Sequence, residues 1–241
     1  MSFDPARVAM EPAFVLHSTP WRETSLIVEC FTPHCGRVAL VAKGVRRPRS
    51  ALRGLMQPFQ PLLVSWFGQG ELRTLKTAEW QGGLPQLSGK ALLCGFYLNE
   101  LLMRLLGRDD PHEALFGIYA QALSRLAAAG PLEPVLRAFE VALLQELGYA
   151  PPLEREADSG APIDPQAQYH FELDRGALRV VAQGGNAVQF LGKTLLDMAQ
   201  SHYDDPVTLS QSKQLMRLLL GHHLGHQDLH TRRIFQELPL L

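Results

Sequence analysis

Between Arg37 and Arg53 the chain reads RVALVAKGVRRPRSALR, with six basic residues (Arg37, Lys43, Arg46, Arg47, Arg49 and Arg53) in seventeen positions and no acidic one. That composition suits phosphate. A guanidinium can engage two phosphate oxygens at once, and such contacts register charge and geometry rather than base identity. Gly44, Pro48 and Gly54 interrupt regular structure after Lys43, which predicts a flexible loop leaving a strand. Two plainer uses of the same residues are a solvated loop that keeps an edge strand soluble and a surface for an acidic protein partner. The charge along the chain favours a polyanion: residues 1–80 carry ten Lys/Arg against six Asp/Glu, and residues 81–241 carry 13 against 18.

Other groups have weaker claims to chemistry. Phe14, Trp21, Phe31, Phe59, Trp66 and Phe67 could stack on unpaired bases, although a small barrel needs inward aromatics for its core, which leaves Trp21 or Trp66 as the candidates for a direct role. His222, His226 and His230 would share a face if one helix carried all three, with His223 beside them. Gly221 and Gly225 weaken that helix, and the nearby Lys213, Arg217, Arg232 and Arg233 fit better with a solvated cationic surface that could make further DNA contacts. Gly192-Lys193-Thr194 has the ending of a phosphate loop but lacks the required glycine, since residue 187 is Ala187, so Lys193 reads as a first-turn helix residue. Paired carboxylates, a nucleophile elbow and a cysteine–histidine signature are missing from the sequence, which predicts no enzyme activity and no cofactor. Cys30, Cys35 and Cys94 are odd in number and scattered, which points to a reducing, cytoplasmic setting with no metal site. No apolar run is long enough to span a bilayer, so no membrane association is expected.

These residues must be positioned by an α+β chain in two parts. Segments 13–18, 24–31, 37–43, 60–67 and 71–80 are short, apolar or β-branched, and divided by Pro, Gly and polar turns. Leu26, Val28 and Cys30 share one strand face, as do Val38, Leu40 and Ala42. Five such strands predict a small closed barrel over residues 1–80, with the OB-fold as first choice and an SH3-like barrel as the alternative. Residues 81–241 then form a mostly helical domain. Helices are expected over 89–106, from Pro111 with Asp110 as its cap to Gly130, and over 131–147 with Gly148 ending the last. An irregular insert at about 150–186 holds a hairpin turning at Asp174-Arg175-Gly176, and helices over 191–202, 208–224 and 231–238 complete the chain.

Several segments, in order, resemble the RecO family of bacterial recombination mediators: AFVLHSTPWRETSLIVECFT, GRVALVAKGVRRPRSALRG, MQPFQPLLVSWFGQGELRTLKTAEW, YLNELLMRLL, LRAFEVALLQELGY and LGHQDLHTRRIFQEL. The resemblance runs through nearly the whole chain. It implies an OB-fold that binds single- and double-stranded DNA, a helical domain, annealing of complementary strands, and work in the cytoplasm with association to the nucleoid during repair. It also implies three protein partners: the acidic tail of the single-stranded-DNA-binding protein (SSB), RecR, and indirectly RecA, whose loading it assists. By the same resemblance Arg137 stands where a cation would meet the tail carboxylate, while the plainer reading pairs it with Glu133 or Glu140 along a helix. Many members carry a four-cysteine zinc module in the insert. Here the insert has no cysteine, so no structural zinc is expected there.

Overall fold

A computed structural model describes residues 6–180, 188–225 and 227–237. The period-two apolar pattern of the first eighty residues becomes five strands: β1 (Arg7–Trp21), β2 (Ser25–Thr32), β3 (Gly36–Ala42), β4 (Pro61–Phe67) and β5 (Leu72–Trp80). They close in the order β1-β2-β3-β5-β4, with β3 and β5 parallel and the other neighbours antiparallel. This is the connectivity of an OB-fold and settles the choice against the SH3-like alternative. Val28, Cys30, Val38, Leu40 and Ala42 point inward as their alternation requires, and Trp66 fills the centre. Burial, aided by Glu29 beside Cys30 and Glu11 beside Cys35, pushes the Cys30 thiol up to about 12 and the Cys35 thiol up to about 11, so both stay protonated.

β1 is far longer than the six residues expected from sequence. Its first half pairs with β4 and its second half with β2, and a register shift between Val8 and Glu11, with Met10 at φ 55°, allows the bend. That bulge breaks the alternation, which is why the segment does not read as strand.

Helix α1 (Gly89–Leu105) buries Leu98, Leu101 and Leu102 and is tied to β1 through Asn99, whose Nδ2 donates to the Leu16 carbonyl at 2.9 Å. Tyr119 of α2 (Glu113–Ala127) donates its hydroxyl to Asn99 Oδ1 at 2.5 Å, and its ring meets Phe14 edge-on. α2 starts after His112, not at Pro111 with Asp110 as cap. Residues 107–110 are instead bound to the barrel: the Asp109 amide donates to the Arg37 carbonyl at 3.1 Å, its carboxylate takes Arg73 at 2.6 Å, and a Cβ on Gly36 would lie 2.1 Å from the Asp110 oxygen. These elements belong to one compact unit, Met1–Gly130 with Leu229–Leu241, which includes α6 (His230–Glu237).

The second unit is Pro131–Asp228. α3 (Leu132–Glu146) presents Val135, Phe139 and Leu143 inward and ends at Gly148, which has φ 72° as a left-handed terminator should. The insert holds the expected hairpin, β6 (Gln168–Glu172) and β7 (Gly176–Arg179). A third strand that the sequence reading did not anticipate, β8 (Gln189–Leu191), pairs with β6 and leads directly into α4 (Gly192–Ala199). α5 (Pro206–His223), capped by Asp205, closes the unit. Both later helices begin or end within two or three residues of their expected bounds.

Candidate nucleic-acid interface

The segment between β3 and β4 is not the flexible loop that Gly44, Pro48 and Gly54 suggest. It is a succession of tight turns, with the amides of Arg47, Ser50, Arg53 and Leu55 each donating to the carbonyl three residues earlier. Val45 and Met56 are buried in the barrel core, and Leu52 and Leu55 pack against it. The loop therefore plugs one end of the barrel with its apolar residues and turns its charged ones outward.

Lys43, Arg46, Arg47, Arg49 and Arg53 are all exposed. None forms an ion pair among the described residues, in contrast to Arg73, Arg108 and Arg179, which do. The Arg46 amide donates to the Thr24 carbonyl at 2.9 Å, joining the loop to the β1–β2 turn, where Arg22 adds a cation that sequence reasoning overlooked. Arg22 lies 6.0 Å over the ring of Trp21, a residue that is 39% exposed. Five uncompensated loop cations, a sixth beside them and an accessible aromatic are thus gathered at one end of the barrel. A concavity of about 360 Å³ opens there, lined by Ser18, Leu26, Val45, Arg46, Arg53, Met56, Gln57 and Pro58.

Arg37 is not brought into this group. It stands at the start of β3, six residues before Lys43, or about 20 Å along a strand. Its Nη1 donates to Glu29 Oε2 at 3.1 Å and its Nε to the Leu106 carbonyl at 3.2 Å, so it serves the barrel's attachment to residues 106–109. Trp66 is 1% exposed and is a core residue, which removes it as a stacking candidate, while Trp80, 56% exposed, is an accessible indole that the sequence reading did not single out.

The remaining candidates are scattered. Lys213 pairs with Glu133 at 2.9 Å on the surface of the second unit, and Arg217 is exposed one turn along the same helix. Arg232, 6.0 Å over the Tyr97 ring, and Arg233 belong to α6 in the first unit. His222 and His230 are not on one helix: His222 and His223 end α5, His230 opens α6, and His226 and Ala187 lie outside the described residues. Among the described residues no cluster of His, Cys, Asp and Glu could hold a metal ion. Gly192 has a packing reason instead of a phosphate-loop one, since a Cβ there would sit 1.9 Å from the Asp164 carbonyl oxygen.

Arg137 is 8% exposed and forms an ion pair with the fully buried Glu140, the helical pairing that spacing allowed. Its Nε is buried without a hydrogen-bond partner. Val141, one turn further on, lines a narrow apolar crevice with Leu144, Pro151, Leu153, Met198 and Met216.

Comparison with known proteins gives this arrangement its family. The model described as Recombination protein O N terminal matches residues 8–83, and that described as Recombination protein O C terminal matches residues 86–233. The chain is 54% identical to the DNA repair protein RecO of Nitrosospira multiformis over the full length of both, and 54% identical to that of Aromatoleum aromaticum over 98% of each. It is 52% identical to that of an Azoarcus species over 96% of this chain and 97% of the other. With both family models covering almost all of it, the chain belongs to the RecO family of DNA repair and recombination proteins.

Proposed function

We propose that this protein binds single- and double-stranded DNA through the plugged end of its barrel and acts, without covalent chemistry, as a recombination mediator in the cytoplasm. The observation that carries the reading is the concentration of Lys43, Arg46, Arg47, Arg49 and Arg53 on one ordered loop without ion-pair partners among the described residues. Neutralising two strands on one surface lowers their repulsion and raises their effective concentration, which is the physical requirement for annealing. Five phosphate contacts on a single strand predict a slope of log K against log salt of about −3.5, or about a hundredfold loss of affinity between roughly 50 and 200 mM salt. Reversing Arg46, Arg47 and Arg49 to Glu leaves two of the five cations and limits the slope to about −1.4. Unchanged affinity and slope would remove the loop from the interface and favour an acidic protein partner instead.

The second unit supplies the reading for SSB. Capture of an acidic tail with an apolar end needs a crevice and a cation, because a desolvated carboxylate without a partner is costly. The apolar crevice beside Val141 and the Arg137 guanidinium one turn away support that role. Removing Arg137 outright would take the guanidinium from the buried Glu140 and destabilise the unit. Arg137→Lys keeps a charge there while replacing the planar, forked guanidinium by a single ammonium. It is expected to weaken binding of an SSB-tail peptide several-fold with DNA affinity intact; equal loss of both would place the tail elsewhere. Cooperation with RecR and assistance to RecA loading follow from the family role, and annealing of SSB-coated strands with and without RecR measures them.

A further inference from the structure

The end of the barrel offers more than charge. The lining of the concavity beside the loop is mixed: Leu26, Val45, Met56 and Pro58 supply an apolar part, and Ser18, Gln57, Arg46 and Arg53 supply a polar part of about equal extent. A phosphate is matched by Arg46 and Arg53 but gains nothing from the apolar part, against which it would lose hydration. A nucleotide uses both parts: the base has apolar faces and polar edges, and the phosphate on either side remains at the rim. The rim here is Arg46 and Arg53. At about 360 Å³ the concavity is at the small end of ligand pockets, which suits a single base rather than a stacked run.

We propose that this concavity accepts one unpaired base of single-stranded DNA while Arg46 and Arg53 hold its flanking phosphates. The inference rests on the reading of the loop as a phosphate-holding element and adds to it a means of preferring single strands. In a duplex the base is stacked and paired, and entry requires flipping it out, which duplex DNA resists. Gln57 offers both a donor and an acceptor on one amide, and the Ser18 hydroxyl rotates to either role, so the pocket tolerates any of the four bases. The site is preformed. The Arg46 amide is tied to the Thr24 carbonyl, and the Gly44 amide donates to Ser25 Oγ at 3.4 Å, so the rim stands against the β1–β2 turn before any ligand arrives.

The test compares two oligonucleotides of equal length and charge, about twelve residues each, within the site size of an OB-fold. One is all thymidine and the other is an abasic tetrahydrofuran chain. The full-length protein is expected to bind the thymidine strand about tenfold more tightly, with the same salt slope for both. Ser18→Leu fills the pocket without adding an aromatic or removing a cation. Ser18 is half-buried on β1 opposite Val28, and the variant is expected to lose the preference for bases while keeping the salt slope. Should leucine also flatten the slope, Ser18→Val, smaller and suited to a strand, repeats the measurement; flattening by both would overturn the separation of pocket from loop. Equal affinity for the two strands in the unaltered protein, or a preference that survives filling, overturns the proposal. Failure of the loop reading is recognised separately, since it appears as a salt slope insensitive to reversal of Arg46, Arg47 and Arg49.

Discussion

Arg37 and Arg46 are nine residues apart in one basic run, yet the structure gives them different surroundings, and substituting each by alanine separates the two. Arg37 has a side chain only 14% exposed, and it contacts Glu29, itself 10% exposed, and the Leu106 carbonyl. Arg37→Ala leaves Glu29 with Arg108 alone and strips a donor from the carbonyl. Losing one buried charged contact and leaving one acceptor short costs about 3 kcal/mol together. For a chain of this size that lowers the unfolding midpoint by about 6–12 °C. Its effect on DNA should be small, because about 20 Å of strand lies between Arg37 and Lys43, about two Debye lengths at 0.1 M salt. Arg46→Ala should do the reverse, leaving the midpoint within about 2 °C and reducing the salt slope by about 0.7. Thermal unfolding followed by optical spectroscopy and DNA titration at several salt concentrations, run below both midpoints, reads the two effects. A folded Arg37→Ala protein that loses as much DNA affinity as Arg46→Ala would refute the division of the basic run.

Two further perturbations probe the second unit. His223 stacks on Tyr149 with ring centroids 4.5 Å apart, and burial, aided by the neighbouring His222, holds its pKa below the ordinary 6.5. The unfolded chain therefore binds more protons there, so this group's contribution to stability falls as pH drops below about 6.5 and levels off beneath the folded pKa; His223→Phe should make urea midpoints between about pH 7.5 and 5.5 less pH-dependent, and an unaltered dependence would exclude this residue as a source. Gly192→Ala would press a methyl group against the Asp164 carbonyl, 1.9 Å from the ideal Cβ position, and is expected to destabilise the unit by at least about 3 kcal/mol in denaturant unfolding, whereas wild-type stability would show that the α4 start yields easily.

Legibility from sequence follows the scale of the interaction that decides each feature. The barrel strands β2 to β5 and the helices read correctly because alternation and helical periodicity are repeated over many residues, and burial of each apolar side chain supports the same answer. β1 read short because one bulge at Met10 and a buried Glu11, which accepts from the His34 amide at 3.0 Å, disrupt the alternation. β8 escaped notice because three residues carry no periodic signal and its pairing with β6 is non-local. The same distinction applies to the site. Charge density located the loop, since composition is local, whereas the separate role of Arg37, the burial of Trp66 and the contribution of Arg22 depend on partners between eight and about seventy residues away. Arg37 lies within the run because a strand start and a loop happen to be contiguous in sequence, and only Glu29 and Leu106 show that it faces other business.

On the proposed reading, the plugged loop also bears on how a sequence-indifferent DNA contact can be strong. A loose arginine-rich segment would lose backbone freedom of about 1–2 kcal/mol for every residue ordered on binding, and that loss would offset much of each phosphate contact. Here the ordering occurs during folding: Val45 and Met56 are 1% and 5% exposed, and burying side chains of that size contributes about 1.5–3 kcal/mol each. Gly44, with φ 67°, makes the first turn possible without strain, and the turn hydrogen bonds through Leu55 then hold the arginine backbones in place. Glycine and proline in this segment therefore specify tight turns instead of mobility. What remains free to adjust is the arginine side chains, which can follow a strand of any sequence, while the backbone that carries them presents their charges in a fixed array beside the concavity.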